Sequence, residues 1–515
     1  MTVIISKTHR KLLVPSDATP DVLIGGAPKL DGYAIVDHDI RNTLLLRHLG
    51  HTIPNPMLCY YKFFGPNAPF ATQRATCQML TEHRRAYVLN DMGTGKSRAV
   101  LWAWDYLNQQ GCAKKILIVC KLSNLYDPWA HEAFAILPHR KVQVLYGTRP
   151  ERLRRLAEDA DIYVVNHDGL RTIQEALQAR ADIDTLVLDE LAVYRNQSDR
   201  SKGMRKFAAR FNILWGLTGR PMPQAPTDVW AQCKIITPST APASFRIAQF
   251  ELMDKIANYV WVPKPNAIEK AYSWMQPAVR FTLDQVMELP PTVYRTIDIP
   301  LGTQQKQAYL KVAREAQAMV NDKVITAANA GVAMSKLLQI AGGWVYSSGE
   351  RDVITLDATN RIEMLFDLID DAVHKVIVFI PFRHALEGIA KLAEADNMDF
   401  CMVHGGTPHR EELFNAFQRT SKYRVLFGHP MCMAHGLTLT AADTVIWYMP
   451  TSSLEIYEQA NARIIRVSQL HKQLILHLQS TPVERRIYTL LSKHQAVQDK
   501  FLSMFEEATD DAAVV

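Results

Sequence analysis

The chain has 515 residues, 48% apolar and 21% charged, with 58 basic against 52 acidic side chains and a formal net charge of +6. That length is more than one ordinary core needs, so two or three domains of a soluble globular protein are expected, and no apolar run approaches a membrane span. Seven cysteines without a C-x-x-C pair argue for reduced thiols and against a disulfide framework or a cysteine zinc site, while the modest basic excess permits a polyanionic partner without requiring one.

In chain order, residues 1–62 hold no recognisable chemistry, and the opening Met1-Thr-Val-Ile-Ile-Ser-Lys7 lacks the apolar core of a signal peptide. Asp39 to Gly50 reads as a short amphipathic helix closed by glycine. This stretch is expected to be a small accessory element that packs on the next domain, with a protein partner as the alternative. From residue 63 to about 240, apolar runs alternate with helical patterns, as in a parallel α/β sheet. Strands are expected at 86–89, 115–120, 142–146, 161–166, 185–188 and 213–217. Each runs into a polar group: a glycine loop, Lys121-Leu-Ser123, Asn166-His167, Asp189-Glu190 and Thr218-Gly219 among them. Ligands of such sheets bind beyond the carboxyl ends of the strands, which gathers these groups along one edge.

The glycine loop is Leu89-Asn-Asp-Met-Gly-Thr-Gly-Lys-Ser97, set between the first strand and a helical run from Arg98 to Leu107. Strand, glycine loop and helix together are the context of a phosphate-binding loop. In that reading Met92, Gly93, Thr94 and Gly95 turn backbone N–H groups onto phosphates at the positive end of the helix. Lys96 reaches the β- and γ-phosphates, and Ser97 ligates Mg²⁺. Asn90 stands where the strict pattern has its first glycine, and a Gly-rich turn before an ordinary helix is the alternative. About ninety residues on, Leu186-Val-Leu-Asp189 ends a strand with a carboxylate where a Mg²⁺-holding Asp belongs. Glu190 beside it can orient or deprotonate an attacking water; alone, the Asp-Glu pair would read as a helix N-cap.

The strand rhythm lapses over 225–300, and Gln304 to Ile340 reads as helical, with Lys306, Lys311, Arg314 and Lys323 on a solvated face. A second α/β rhythm starts near 360, with strands expected at 376–380, 400–403, 424–427 and 444–447. In Gln459-Ala-Asn-Ala-Arg463-Ile-Ile-Arg466-Val-Ser-Gln469 the two arginines, three apart, share one helix face.

Taken in order, these stretches resemble the motifs of the Swi/Snf-type branch of the superfamily-two helicases, the DEAD/DEAH-like ATPases, over about residues 65–500. Phe70-Ala-Thr-Gln73 is similar to the glutamine motif that reads the adenine edge, and Leu117 to Asn124, followed by Trp129, to a nucleic-acid-contacting segment. Asp189-Glu-Leu-Ala-Val-Tyr-Arg-Asn196 resembles D-E-A-H-R-I-K-N, and Asn212 to Met222, followed by Trp230, resembles the L-L-L-T-G-T-P-I segment. In the second half, Gln276 to Pro291 resembles the link between lobes, and Leu337-Leu-Gln-Ile340 the L-R-Q-I helix. His404 to Arg410 resembles D-G-S-T-x-x-x-R, and Ala434 to Asp443, with Gly436, the later glycine loop. The Gln459 to Gln469 run matches Q-A-x-x-R-x-x-R-x-x-Q at every named position, and Thr481 to Ile487 resembles a bracing helix.

The resemblance implies two tandem RecA-like lobes, parallel sheets flanked by helices: an accessory element at 1–62, lobe one at 63–297, and lobe two at 298–515 with a helical protrusion at about 303–345. It implies an ATP-dependent DNA translocase or helicase that hydrolyses ATP with Mg²⁺ between the lobes. Asp189, Glu190 and Lys96 are the expected catalytic groups of lobe one, and Arg463 and Arg466 deliver positive charge to the transferring phosphoryl group. Nucleotide contacts are expected from Gln73, residues 92–97, Gly436 and Gln459, and Mg²⁺ from Ser97 and Asp189. Lys121, Ser123, Asn166, His167, Arg383 and His404 are the expected contacts to the backbone of duplex, forked or branched DNA, and these are salt-dependent. The compact form looks more like bacterial or bacteriophage members; a monomer in a prokaryotic cytoplasm, away from any membrane, is expected. Ala192 for the family's His, Arg220 for Thr and His435 for a glycine depart from the pattern and bear on how hydrolysis couples to movement. Two other readings stay open: a different NTPase acting on a small molecule, and a catalytically weak DNA-binding scaffold.

Overall fold

A computed structural model describes residues 3–16, 26–257, 260–285, 292–321, 327–346, 353–433, 439–465 and 469–493. The chain divides into two compact units, Met1–Met287 and Glu288–Val515.

The first unit opens with a four-stranded antiparallel sheet of β1 (Ile4–Ser6), β2 (Lys11–Pro15), β3 (Lys29–Leu30) and β4 (Tyr33–Asp37) in the order β1-β2-β4-β3. Alternate residues of β2 and β4 (Leu12, Val14, Ala34 and Val36) pack on Leu46 and Ile53. The helix Ile40–His48 begins at Asp39, whose carboxylate accepts the Asn42 N–H at 2.7 Å. Arg47 and the Asn55 amide both reach Glu82 (2.7 and 2.9 Å), tying this element to the helix Ala71–Glu82.

The main sheet of this unit has seven parallel strands. In chain order they are β5 (Arg85–Val88), β6 (Lys115–Cys120), β7 (Val142–Val144), β8 (Ile162–Asn166), β9 (Ile183–Asp189) and β10 (Ile213–Leu217); a hairpin of β11 (Met253–Ala257) and β12 (Val260–Pro263) follows before β13 (Ala278–Val279). The order is β13-β5-β10-β9-β6-β8-β7. The strands are nearly continuous apolar runs because helices cover both faces. The six strands expected from the sequence appear with only small shifts at their ends. β13 falls in a region without strand rhythm. It lies parallel to β5, and the pairing extends along the chain as Tyr87, Leu89 and Asp91 donate N–H groups to the carbonyls of Pro277, Val279 and Phe281 (3.0, 2.8 and 2.9 Å).

The second unit contains β14 (Thr292–Asp298), the hairpin β15 (Trp344–Tyr346) and β16 (Val353–Thr355), then β17 (Lys375–Phe379), β18 (Phe400–Val403), β19 (Val425–Gly428), β20 (Ala442–Trp447) and β21 (Gln473–Gln479). Six of these form a parallel sheet in the order β14-β21-β20-β17-β19-β18. The expected lobe boundary at 297/298 cuts through β14, which belongs wholly to this second sheet. The helices Thr303–Asn321 and Ala327–Gly342 are joined by the buried Gln305 amide, which donates to the carbonyls of Ile340 and Ala341 (2.9 and 3.1 Å). Lys306, Lys311 and Arg314 are exposed on the first of them, while Lys323 lies outside the described residues. The terminal helix Pro482–Ser492 is held by a buried Arg361–Glu484 ion pair at 2.7 Å. Each unit thus carries a parallel sheet flanked by helices, the architecture of a RecA-like lobe. Among the described residues no helix is long and apolar enough to cross a membrane.

Candidate active site

Parallel pairing brings the ends of three strands to one level. Leu217 on β10 is in register with Val88 on β5 and with Asp189 on β9. Strands lie about 4.8 Å apart, so Asp189 stands roughly 10 Å from the start of the glycine loop. The loop between them follows β10: a Cβ at Gly219 would lie 3.3 Å from the Asn90 carbonyl oxygen and 3.7 Å from the Met92 nitrogen, so this turn runs against the glycine loop.

Gly93 and Gly95 adopt φ of 81° and 75°, a region that glycine enters without penalty. Gly95 is the N-cap of the helix Lys96–Gln109, which is buried along most of its length and holds Trp102 and Trp104 in the core. A Cβ at Gly95 would also run into the Gln73 amide nitrogen. Gln73 is buried; its amide donates to the Gly95 carbonyl at 3.3 Å and its side-chain oxygen accepts the Phe70 N–H at 3.0 Å. The side chain expected to read an adenine edge is therefore placed against the loop backbone. The Thr94 hydroxyl donates to the Asp91 carbonyl at 2.8 Å, and Lys96 Nζ donates to the carbonyls of Asn90 and Asp91, both at 2.8 Å. Met92, Gly93, Gly95, Lys96 and Ser97 are all half-buried at the mouth of the loop.

Asn90, the departure from the strict glycine pattern, is buried and works as a tie. Its amide donates to the Thr76 hydroxyl at 3.1 Å and its carbonyl accepts the Phe281 N–H at 3.0 Å. Neither contact was foreseeable from the motif, because both partners come from other segments.

At the end of β9, Asp189 Oδ2 accepts from the Trp129 indole at 2.9 Å and the Asn124 amide at 3.2 Å, and Oδ1 accepts the Glu190 N–H at 3.1 Å. A carboxylate offers about four lone-pair sites, so one remains on Oδ1. A carboxylate and a hydroxyl are the hard oxygen donors Mg²⁺ takes, and Asp189 and Ser97 fit it in that chemical sense. Glu190 has a left-handed backbone (φ 55°, ψ 54°), a conformation that costs a non-glycine residue about 1–3 kcal/mol and concentrates at functional positions. Among the described residues no group of three His, Cys, Asp or Glu side chains is placed to hold a metal.

Two of the expected DNA contacts are buried in the fold. Asn166 is 7% exposed and its side-chain oxygen accepts from Arg152 at 3.0 Å. His167 is also 7% exposed, with Nδ1 against the Tyr194 hydroxyl at 2.8 Å, and burial pushes its pKa down to about 4. By contrast Lys121 is half-buried and Ser123 exposed on the turn after β6.

In the second unit Arg463 is buried, and its Nε donates to the Gln459 carbonyl at 2.8 Å. The Arg463 carbonyl accepts the Leu439 N–H at 3.1 Å, joining this run to the end of the later glycine segment. Gln459 is buried and donates to Glu455 at 2.9 Å. Arg383 is exposed and paired with Glu387 at 2.7 Å, and half-buried His404 accepts the Gly406 N–H at 3.1 Å. Gly436, His435 and Arg466 lie outside the described residues.

Residues 73–342 match the model of the SNF2-related domain, and residues 360–468 match the helicase conserved C-terminal domain. The chain is 24% identical over 427 residues to protein p41 of Acyrthosiphon pisum secondary endosymbiont phage 1, covering 77% of this chain and 88% of that one. It is 22% identical over 478 residues to the Homo sapiens DNA excision repair protein ERCC-6-like, covering 78% of this chain but only 38% of the human protein. Among solved structures, the Sulfolobus solfataricus SWI2/SNF2 ATPase core in complex with dsDNA aligns at 17% identity and a TM-score of 0.41, over 88% of this chain and 98% of that one. With the SNF2-related match alone spanning more than half its length, the chain belongs to the SNF2-related, Swi/Snf-type family of superfamily-two helicases.

Proposed function

We propose that this chain hydrolyses ATP at the β5–β9 edge of its first unit and uses the turnover to move along, or remodel, duplex, forked or branched DNA. The observation that carries the reading is the placing of the glycine loop and Asp189-Glu190 at one level of a single parallel sheet, with the Thr218-Gly219 turn between them. In this reading the loop N–H groups and Lys96 hold the phosphates. Lys96 exchanges its two carbonyl partners for phosphate oxygens. Ser97 and Asp189 hold Mg²⁺, which when bound neutralises charge on the β- and γ-phosphates. Glu190 orients the attacking water and takes its proton. Arg463 and Arg466 are assigned to the charge that develops on the transferring phosphoryl group. Gln73 positions the loop. Lys121, Ser123, Arg383 and His404 are assigned to the DNA backbone, where contacts are largely independent of sequence. The DNA assignment is supported by family membership and by the name of the human relative.

The test is ATP turnover without nucleic acid and with single-stranded, duplex and forked DNA, with Lys96→Ala as control. Stimulation by duplex or forked DNA that disappears in Lys96→Ala supports the motor. Turnover indifferent to every DNA overturns it, and binding to DNA with no turnover leaves a scaffold.

A further inference from the structure

The turn that follows β6 has two faces. Leu122 and Ser123 are exposed and Lys121 is half-buried, whereas Asn124, Leu125 and Trp129 are buried. Leu122–Asn124 is a single 3₁₀ turn; Leu125–Ala130 is a π-helix containing Pro128, and the N–H of His131 reaches the Tyr126 carbonyl five residues back. Asn124 closes the 3₁₀ turn and Trp129 sits within the π-helix, a kind of turn that recurs at functional sites. Here Asn124 and Trp129, five apart, converge on the same oxygen of Asp189. An indole can only donate, and Trp129 is 0% exposed, so its N–H is committed to that carboxylate.

We infer that Asn124 and Trp129 are positioning residues for Asp189, and that the 3₁₀ and π segment carrying them links a nucleic-acid backbone on its outer face to the carboxylate that holds Mg²⁺. By occupying Oδ2 they leave Oδ1 toward the metal. Lys121 and Ser123 stand at the start of the same segment, so contact there bears on how firmly Asn124 and Trp129 hold the carboxylate. The inference rests on the proposed function, since it takes Asp189 as a Mg²⁺ ligand and the outer face as a DNA contact.

The experiment follows ATP turnover of the full chain against Mg²⁺ concentration, without DNA and with a duplex oligonucleotide, and the unfolding midpoint with and without Mg²⁺, for wild type, Trp129→Phe and Asn124→Leu. Trp129→Phe keeps a buried ring and removes the N–H; Asn124→Leu keeps the size and removes the amide. Loss of an outer partner of a metal ligand typically shifts metal affinity or activity at least about tenfold. The expected result is a half-saturating Mg²⁺ concentration raised about tenfold in both variants, with the stimulation by duplex reduced and KM for ATP at saturating Mg²⁺ little changed. A merely structural role would lower the unfolding midpoint and turnover without moving the Mg²⁺ dependence, and that outcome overturns the inference. If Trp129→Phe does not fold, Asn124→Leu alone decides. Variants that match a DNA-stimulated wild type at every Mg²⁺ concentration overturn the positioning role alone, whereas a wild type indifferent to DNA overturns the parent reading and the link together.

Discussion

The side-chain oxygen of Asn90 accepts the backbone N–H of Phe281 at 3.0 Å, although the two residues are 191 positions apart. With the Thr76 bond, this fixes the first residue of the glycine loop to a neighbouring helix and to the strand segment running beside β5. Asn90→Gly would restore the strict glycine pattern while deleting both bonds and adding backbone freedom to the unfolded chain. The expected loss is about 2–3 kcal/mol, from roughly 1 kcal/mol per hydrogen bond plus the glycine penalty. A thermal scan checks it: a midpoint equal to wild type would show that the tie contributes nothing.

How far the sequence goes is visible at this loop. Thr185 to Leu188 and Lys115 to Cys120 were legible as strands because buried parallel strands are unbroken apolar runs. The chemistry-bearing residues were legible because they follow such runs. Ala278–Val279 was not, since two residues carry no periodicity and only the edge of β5 makes them a strand. β14 and β21 were missed for a related reason: each is half polar, and their pairing joins Thr292 to Gln473 far along the chain. Asn166 and His167 read as accessible polar groups. Their burial depends on Arg152 and Tyr194, which distant segments supply.

Glu190 offers a separation of strain from chemistry. Its left-handed backbone is the kind that glycine adopts freely, so Glu190→Gly is expected to stabilise the first unit by about 1 kcal/mol while abolishing turnover. Glu190→Gln keeps the strained backbone and removes the base; turnover should fall about 10²–10⁴-fold with nucleotide binding retained. A fluorescent ATP analogue titrated into each variant, beside single-turnover hydrolysis, tests the pair. Glu190→Gln turning over within a fewfold of wild type would remove Glu190 from the chemistry.

In the second unit, Arg361 is 2% exposed and Glu484 is 0% exposed. Arg361 also donates to the carbonyls of Ala341, Tyr448 and Leu478, while the other Glu484 oxygen accepts the N–H groups of Ser480 and Thr481. Removing one partner leaves a buried charge, so Arg361→Met is expected to cost about 3–5 kcal/mol. The double variant Arg361→Met/Glu484→Leu should lose less than the sum of the single changes, because no charge is stranded. A double-mutant cycle on unfolding midpoints reads this directly, and strict additivity would mean the two residues do not act as a pair.

Two buried histidines weaken the fold as the pH falls. Burial pushes both His167, in the first unit, and His477, in the second, down to about 4; for His167 the Asp189 charge offsets a part of that shift. Each has a ring nitrogen against a tyrosine hydroxyl at 2.8 Å, Tyr194 and Tyr457 respectively. The unfolded chain takes up these protons near pH 6.5 and the folded chain only near pH 4, so between those values the unfolded state binds more protons. Stability is then full above about pH 6.5 and declines as pH falls toward 4, by up to roughly 3 kcal/mol for each histidine. Buried His38 and His384 and half-buried His429 are lowered in the same sense, so some slope should persist when the first two are replaced. Unfolding midpoints of wild type and His167→Gln/His477→Gln, measured from pH 7.5 to 4.5, should converge as the pH drops. If the two curves run parallel across that range, neither histidine titrates between the folded and unfolded states as their burial requires.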